Sequence, residues 1–335
     1  MSYSRKVYAR AASELERRRD KAERTQSMRR TEVYAKIPEL ISIDREIASA
    51  GAEVIRAIGM GENAQQFIEE LAKKNLASQQ RRKDILKENG YPEDYLDAEY
   101  TCKKCRDTGF IGGVMCDCYK ALLRDTALAE LNELSPSARS TFESFNINYY
   151  PDTVDPATGI NPRSRMKEIL DFCRDYAADF ATDSPSLLLY GATGLGKTHL
   201  SLAIASEAVK KGYGVIYGSA QNLMSRLEKE HFSSGRNSEY EGSEQALLEC
   251  DLLIIDDLGM EISSSYITAT IYNVIDTRIT LKKPTIISTN LSMQELEKRY
   301  NERFTSRIIG FYDRLIFRGK DIRMKKKLNP QNKQN

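Results

Sequence analysis

The chain has 335 residues, of which 41% are hydrophobic, 29% charged and 8% aromatic, enough for two or three domains with their own cores. Fifty Lys+Arg stand against 48 Asp+Glu, a net charge of +2, which excludes a uniformly basic nucleic-acid coat. No apolar run reaches the ~20 residues of a membrane span, no signal-peptide core follows Met1, and only two histidines occur, His199 and His231. The expectation is a soluble, cytoplasmic protein without membrane contact, and neither a multi-histidine metal enzyme nor a His-based hydrolase.

Residues 1–90 are rich in Glu, Lys, Arg, Ala and Leu, good helix formers, and poor in strand signals. From Glu14 to Arg24 the charge runs all round, which predicts a largely solvated helix. Phe67, Leu71, Leu76 and Ile85 follow at loosely helical spacing, with Gly51, Gly59 and Gly61 interrupting the run. A helical hairpin or small bundle is predicted, and nothing in it suggests catalysis.

Gly90, Tyr91 and Pro92 close that region, and a module over 91–135 carries four of the six cysteines. Cys102 and Cys105 form one C-x-x-C pair, and Cys116 and Cys118 form a tighter C-x-C pair ten residues on, with Gly109, Gly112 and Gly113 between. Without an export signal this pattern reads as metal rather than disulfide. Four thiolates close a tetrahedral Zn²⁺ shell and leave no position for substrate, so the expected site is structural. A redox pair or unconnected thiols are the alternatives. A helix over 119–134 comes next, with Leu122, Leu123 and Leu131 on one face, and then a Pro-rich linker at 136–163.

A helix from about Ser164 places Met166, Ile169, Leu170, Cys173, Tyr176, Ala177 and Phe180 at a 3.6-residue period. Short apolar runs at 187–190, 214–217, 251–255, 285–288 and 311–317 then alternate with helical stretches. This is an α/β pattern with a parallel sheet, expected over 164–327, before a polar tail at 328–335. Cys173 and Cys250 fall on apolar positions and are expected to be core thiols.

Gly191, Ala192, Thr193, Gly194, Leu195, Gly196, Lys197 and Thr198 match G-x-x-x-x-G-K-[ST] in full. The motif follows a predicted buried strand and opens a helix. The glycines let backbone N–H groups curl around phosphate oxygens, and the helix N-terminus adds its positive dipole end. Lys197 is expected at the β- and γ-phosphates of ATP and the Thr198 hydroxyl on Mg²⁺. His199, just beyond, reads as a helix-face residue rather than a ligand. The apolar strand ending in Asp256 and Asp257 supplies a second carboxylate for Mg²⁺, Asp256, and a base for the attacking water, Asp257. A further strand ends in Asn290. It is expected to lie between the other two, so that Asn290 reaches the same water or the γ-phosphate. Arg299, Arg303 and Arg307 recur every four residues, as on one face of one helix. The last fifty residues are the most basic, with Arg314, Arg318, Lys320, Arg323 and Lys325 to Lys327. Phe311, Tyr312 and Phe317 interleave with them, a composition suited to single strands.

Together these residues resemble the bacterial helicase loaders of the DnaC/DnaI type, a branch of the AAA+ P-loop ATPases close to the replication initiators. The match takes in the helical N-terminal region, the cysteine cluster, Thr141 to Phe145, the phosphate loop, the Asp256–Asp257 pair, Ser288 to Asn290, Glu302 to Arg307, and Gly319 to Arg323. It implies an ATPase that binds a replicative hexameric helicase through its N-terminal region, places it on single-stranded DNA, and self-associates through the ATPase domain. It also implies that Arg307 is an arginine finger offered to a neighbouring subunit and that Arg323 is a second sensor. Asp257 departs from the glutamate common across AAA+ proteins, which bears on rate rather than on nucleotide binding. The competing reading is an IstB-type transposition helper acting on duplex DNA with a transposase, whose ATPase motifs would be nearly the same.

Overall fold

In the computed structural model, which describes residues 3–57, 64–134, 140–156, 158–232 and 243–323, helix α1 spans Arg5–Lys36. It is less solvated than its charge suggests. Leu15, Ala22 and Val33 are buried along it, while Arg17 and Arg18 pair with Glu14 at 2.7 and 2.8 Å. The chain divides into two units, residues 12–119 and residues 1–11 with 120–335.

In the first unit, α2 (Glu39–Ala57) and α3 (Ala64–Glu88) form the expected hairpin. Gly51 does not interrupt it: α2 runs through this position, where a Cβ would meet nothing within 4 Å. Gly59 and Gly61 lie outside the described residues. The core differs from the apolar spacing read in the sequence. Leu76 is 65% exposed, and of that set only Ile85 is buried. The core gathers instead Val33, Leu40, Ile43, Leu86 and Leu96, with Tyr34, Ile37, Ile47, Tyr91 and Tyr95 against them. Arg82 and Asp44 join the two helices at 2.9 Å.

Two short strands, β1 (Phe110–Ile111) and β2 (Val114–Met115), pair antiparallel. Gly112 and Gly113 turn between them at φ +57° and +82°, a two-residue connection open to glycine because both positions need positive φ. Helix α4 (Asp117–Leu134) begins at the last cysteine pair.

The second unit holds a five-stranded parallel sheet. In chain order its elements are α5 (Pro162–Ala178), β3 (Ser186–Tyr190), α6 (Lys197–Lys210), β4 (Val215–Ser219), α7 (Ala220–Phe232), α8 (Ser243–Glu249), β5 (Leu252–Leu258), α9 (Ser265–Thr280), β6 (Thr285–Thr289), α10 (Met293–Tyr300), α11 (Glu302–Phe311) and β7 (Tyr312–Ile316). The strand order is β4-β5-β6-β3-β7, so the Asn290 strand lies between the other two, as expected. Strands buried on both faces read as unbroken apolar runs, hence the short runs in the sequence. Asn161 caps α5, accepting from the Arg163 and Ser164 amides.

Arg278 is fully buried at the N-terminal end of the sheet. It donates to the Leu247, Cys250 and Pro284 carbonyls and, at 2.9 Å, to the Thr285 hydroxyl. A buried guanidinium is tolerable only with such a set of acceptors.

The arginine run is not one helical face. Asn301, at φ +93°, ends α10 and caps α11 through its side chain, which accepts from the Phe304 amide at 3.0 Å. Arg299 therefore turns inward to buried Glu261 at 3.0 Å, while Arg307 on α11 pairs with Asp276 of α9 at 2.9 Å.

Candidate nucleotide-binding site

The site forms at the C-terminal ends of β3, β5 and β6, where loops leave a parallel sheet and its helices begin. Gly191, Gly194 and Gly196 all have positive φ, and the space around them leaves no room for a side chain. A Cβ at Gly196 would lie 2.7 Å from the Phe145 ring, and one at Gly191 would strike the Phe317 carbonyl. The loop thus curls into the start of α6, and a cleft of about 700 Å³ opens beside it. Thr193 to Thr198, Asp256, Asp257, Asn290 and Arg323 all line this cleft.

Lys197 is buried, and its ammonium donates to the Gly191 and Ala192 carbonyls at 2.7 and 2.8 Å and to Asn290 Oδ1 at 2.7 Å. Burial lowers its pKa from the ordinary lysine value, and the nearby Asp257 and Asp256 oppose that shift. Thr198 donates its hydroxyl to Asp256 Oδ2 at 2.9 Å. A hydroxyl and a carboxylate in contact make a hard oxygen pair, and this donor set fits Mg²⁺.

In a regular strand Asp256 and Asp257 would point to opposite faces. Here the β5–β6 register shifts between Ile255 and Leu258, and Asp257 adopts φ +52°. This bulge turns both carboxylates into the cleft. Burial first, and the Asp256 charge second, push the Asp257 carboxyl above the ordinary aspartate value.

Two hydroxyls on Asp256 escape a motif reading. Tyr217, in the middle of β4, donates to Oδ2 at 2.8 Å, and Ser288 of β6 donates to Oδ1. The available signal was polarity inside a buried strand, since Ser288 is wholly buried in β6, directly after Ile286 and Ile287. The stretch read as linker also belongs to the site wall. Tyr150 donates to the Leu195 carbonyl at 2.8 Å, and Phe145 stacks on Tyr150. His199 reaches the Thr141 carbonyl at 2.8 Å.

Arg307 does not line the cleft. Arg323 does, and its amide donates to Asp321 at 2.8 Å. Of the aromatics expected beside basic residues, Tyr312 and Phe317 are core side chains, while Phe311 is 54% exposed. The single-strand platform read in the sequence thus reduces to one ring, with the Arg307 guanidinium 5.8 Å from its centroid. Lys325 to Lys327 lie outside the described residues.

In the first unit, Cys102, Cys105, Cys116 and Cys118 bring their four sulfurs within 4.8 Å of one another. Cys102 and Cys116 stand 3.9 Å apart, Cys105 and Cys118 3.4 Å. A tetrahedron with Zn–S bonds of about 2.3 Å has edges of about 3.8 Å, so the cluster fits a structural Zn²⁺. Asp107 holds the Thr101 and Cys102 amides at 2.8 Å, which orders the first knuckle. Backbone N–H groups, chiefly that of Cys105, lower the Cys102 thiol to about 7, whereas burial raises Cys118.

A phosphate loop, a bulged acidic strand and a polar strand end on one parallel sheet define a P-loop nucleotide-binding domain. Residues 169–333 match the family described as IstB-like ATP binding protein. That match takes in the helix and sheet that carry the phosphate loop and both acids. The replicative helicase loader DnaC of Escherichia coli strain K12 is 32% identical over 139 residues, 42% of this chain and 56% of that protein. The chromosomal replication initiator protein DnaA of Aquifex aeolicus strain VF5 is 31% identical over 124 residues, 37% of this chain and 30% of that protein. A crystal structure of the DnaC helicase loader is 24% identical, covering 53% of this chain and 97% of that one with a TM-score of 0.44. The chain spans little more than half the length of the DnaC relatives it matches. Among the described residues no helix is long and apolar enough to cross a membrane.

Proposed function

We propose that this protein is an ATP-dependent loader of a replicative hexameric helicase, acting in the cytoplasm, with hydrolysis as its release switch. The observation that carries the ATPase reading is the β5 bulge, which brings both acids to the cleft that holds Lys197 and Thr198. Lys197 binds the β- and γ-phosphates, and Thr198 with Asp256 would hold Mg²⁺, which would supply positive charge against the phosphates. Asp257 accepts the proton of the attacking water and Asn290 orients that water. Arg323 completes the site in cis. Arg307, outside the cleft, serves the nucleotide of a neighbouring copy, so hydrolysis is slow until subunits assemble.

The likeness to DnaC supports the loader reading for the ATPase domain over 164–327. The helical region over 1–90 and the zinc module over 91–135 supply the helicase-binding part, and 136–163 joins the two. Single-stranded DNA is the second partner. The matched family's IstB-like description keeps one other reading, a transposition helper acting with a transposase on duplex DNA. Native mass spectrometry of the protein with its host's replicative helicase, ATP and Mg²⁺ separates them. Several copies of this chain per helicase hexamer support the loader. No complex, with an active helicase and intact zinc, transfers the assignment to the transposition helper.

A further inference from the structure

Ser288 touches both acids of β5 with a single oxygen. Its Oγ–H donates to Asp256 Oδ1, and the same Oγ accepts the Asp257 amide at 2.9 Å. The other carboxylate oxygen of Asp256 carries Tyr217 at 2.8 Å and Thr198 at 2.9 Å. Three hydroxyls from three elements thus converge on one carboxylate that is 4% exposed.

The hydroxyls are not equivalent. Thr198 opens α6 at the cleft, where it is expected to exchange Asp256 for Mg²⁺. Ser288 is fully buried in β6, bonded on both sides and not among the residues lining the cleft, so it would hold Asp256 from behind without being a metal ligand itself. The amide it accepts belongs to the residue at φ +52°, a conformation that residues with a side chain rarely adopt. The bond therefore helps hold the bulge that aims Asp257 into the cleft.

We propose that Ser288 is a positioning residue of the ATPase, aided by Tyr217. It fixes the plane of the Mg²⁺-binding carboxylate of Asp256 and, through the Asp257 amide, the direction of the base. The inference rests on the ATPase reading above. Its mark is a split between two affinities. Phosphate binding by the loop and Lys197 does not involve either hydroxyl, whereas Mg²⁺ binding and turnover do. Outer hydrogen bonds to a metal ligand are typically worth about 10- to 100-fold in metal affinity or activity.

The test uses the full-length protein carrying Ser288→Ala or Tyr217→Phe, each removing one oxygen and little volume. ATP-analogue affinity is measured in EDTA, and turnover is titrated against Mg²⁺. The expected result for Ser288→Ala is analogue affinity within about twofold of wild type, a Mg²⁺ midpoint raised about tenfold, and turnover at saturating Mg²⁺ lowered about tenfold. Tyr217→Phe is expected to raise the midpoint by less and to leave saturated turnover nearly unchanged, because it touches only Asp256. An unchanged Mg²⁺ midpoint in Ser288→Ala overturns the proposal, and so does a fall in analogue affinity equal to the fall in turnover. Wild-type protein that fails to bind the analogue sinks the ATPase reading instead. If Ser288→Ala does not fold, Ser288→Cys, which keeps the shape but donates and accepts only weakly, is read by the same two affinities.

Discussion

The ammonium of Lys197 donates to the amide oxygen of Asn290 at 2.7 Å. One bond thus ties the phosphate loop to the strand end two places beyond Ser288. Its third hydrogen-bonding position is the only one of the three filled by a side chain, the others being the Gly191 and Ala192 carbonyls. Replacing Lys197 with Ala removes a buried cation from the cleft. Affinity for a fluorescent ATP analogue is expected to fall at least a hundredfold, a loss of about 2.7 kcal/mol or more. Wild-type affinity would remove the phosphate-loop assignment.

Asn290→Ala is expected to separate binding from chemistry. The loop carbonyls still hold Lys197, so analogue affinity should change less than fivefold. Turnover is expected to drop about tenfold or more as the water-orienting amide is lost. Single-turnover hydrolysis distinguishes this from slowed product release.

Asp257 yields a paired prediction. Its carboxyl binds a proton more tightly in the folded protein than in the unfolded chain, because of burial and the Asp256 charge. Its contribution to stability is therefore present below the unfolded value of about 3.9 and is lost as pH rises through the higher folded value. At neutral pH the ionised group costs stability. Asp257→Asn keeps a residue suited to positive φ, so the melting temperature is expected to rise while hydrolysis is lost. Each kcal/mol regained corresponds to about 2–4 °C. A pH series should show the difference in melting temperature shrinking as Asp257 becomes protonated in acid.

The Arg307–Asp276 pair is half-exposed, with side-chain accessibilities of 42% and 30%. Such pairs contribute little, about 0–1 kcal/mol. Arg307→Ala should thus melt within a few degrees of wild type and bind ATP normally. Hydrolysis in the assembled state is expected to fall by about 10³-fold. Equal loss in a demonstrably monomeric sample would place the arginine at its own subunit's nucleotide.

Metal analysis of the purified protein should give one zinc per chain. Cys116→Ser is expected to lower that content and to make residues 91–135 susceptible to proteolysis, since structural zinc stabilises its fold directly. A metal-free preparation with the same digestion pattern would refute the four-cysteine site.

The alternation of apolar runs made the parallel sheet legible, and the phosphate loop announced itself by spacing alone. The Asp256–Asp257 pair was visible as composition, but its geometry was not. A two-residue period predicts opposite faces, and only the register against β6 shows the bulge. The arginine run misled for a related reason. Four-residue spacing implies one helix face, yet Asn301 at φ +93° divides the run between two helices, and a single asparagine is a weak stop signal. In the N-terminal unit the core came from Val33, Leu86 and Leu96, residues that meet only when separate helices and a loop pack together. Tyr217 and Ser288 are of the same kind, since their role lies in which carboxylate they face across neighbouring strands.

Arg278 sets a mechanical limit on the whole ATPase domain. Its guanidinium binds carbonyls on either side of the entries to β5 and β6, at the end of the sheet opposite the nucleotide. Those entries are fastened to one another and to α9 through a group that is always charged. The roots of the two strands are therefore pinned at one end of the sheet, while the bulge and Asn290 stand at the other. Losing that one guanidinium would leave four buried acceptors without their donor at once, so this corner of the core stands or falls as a unit.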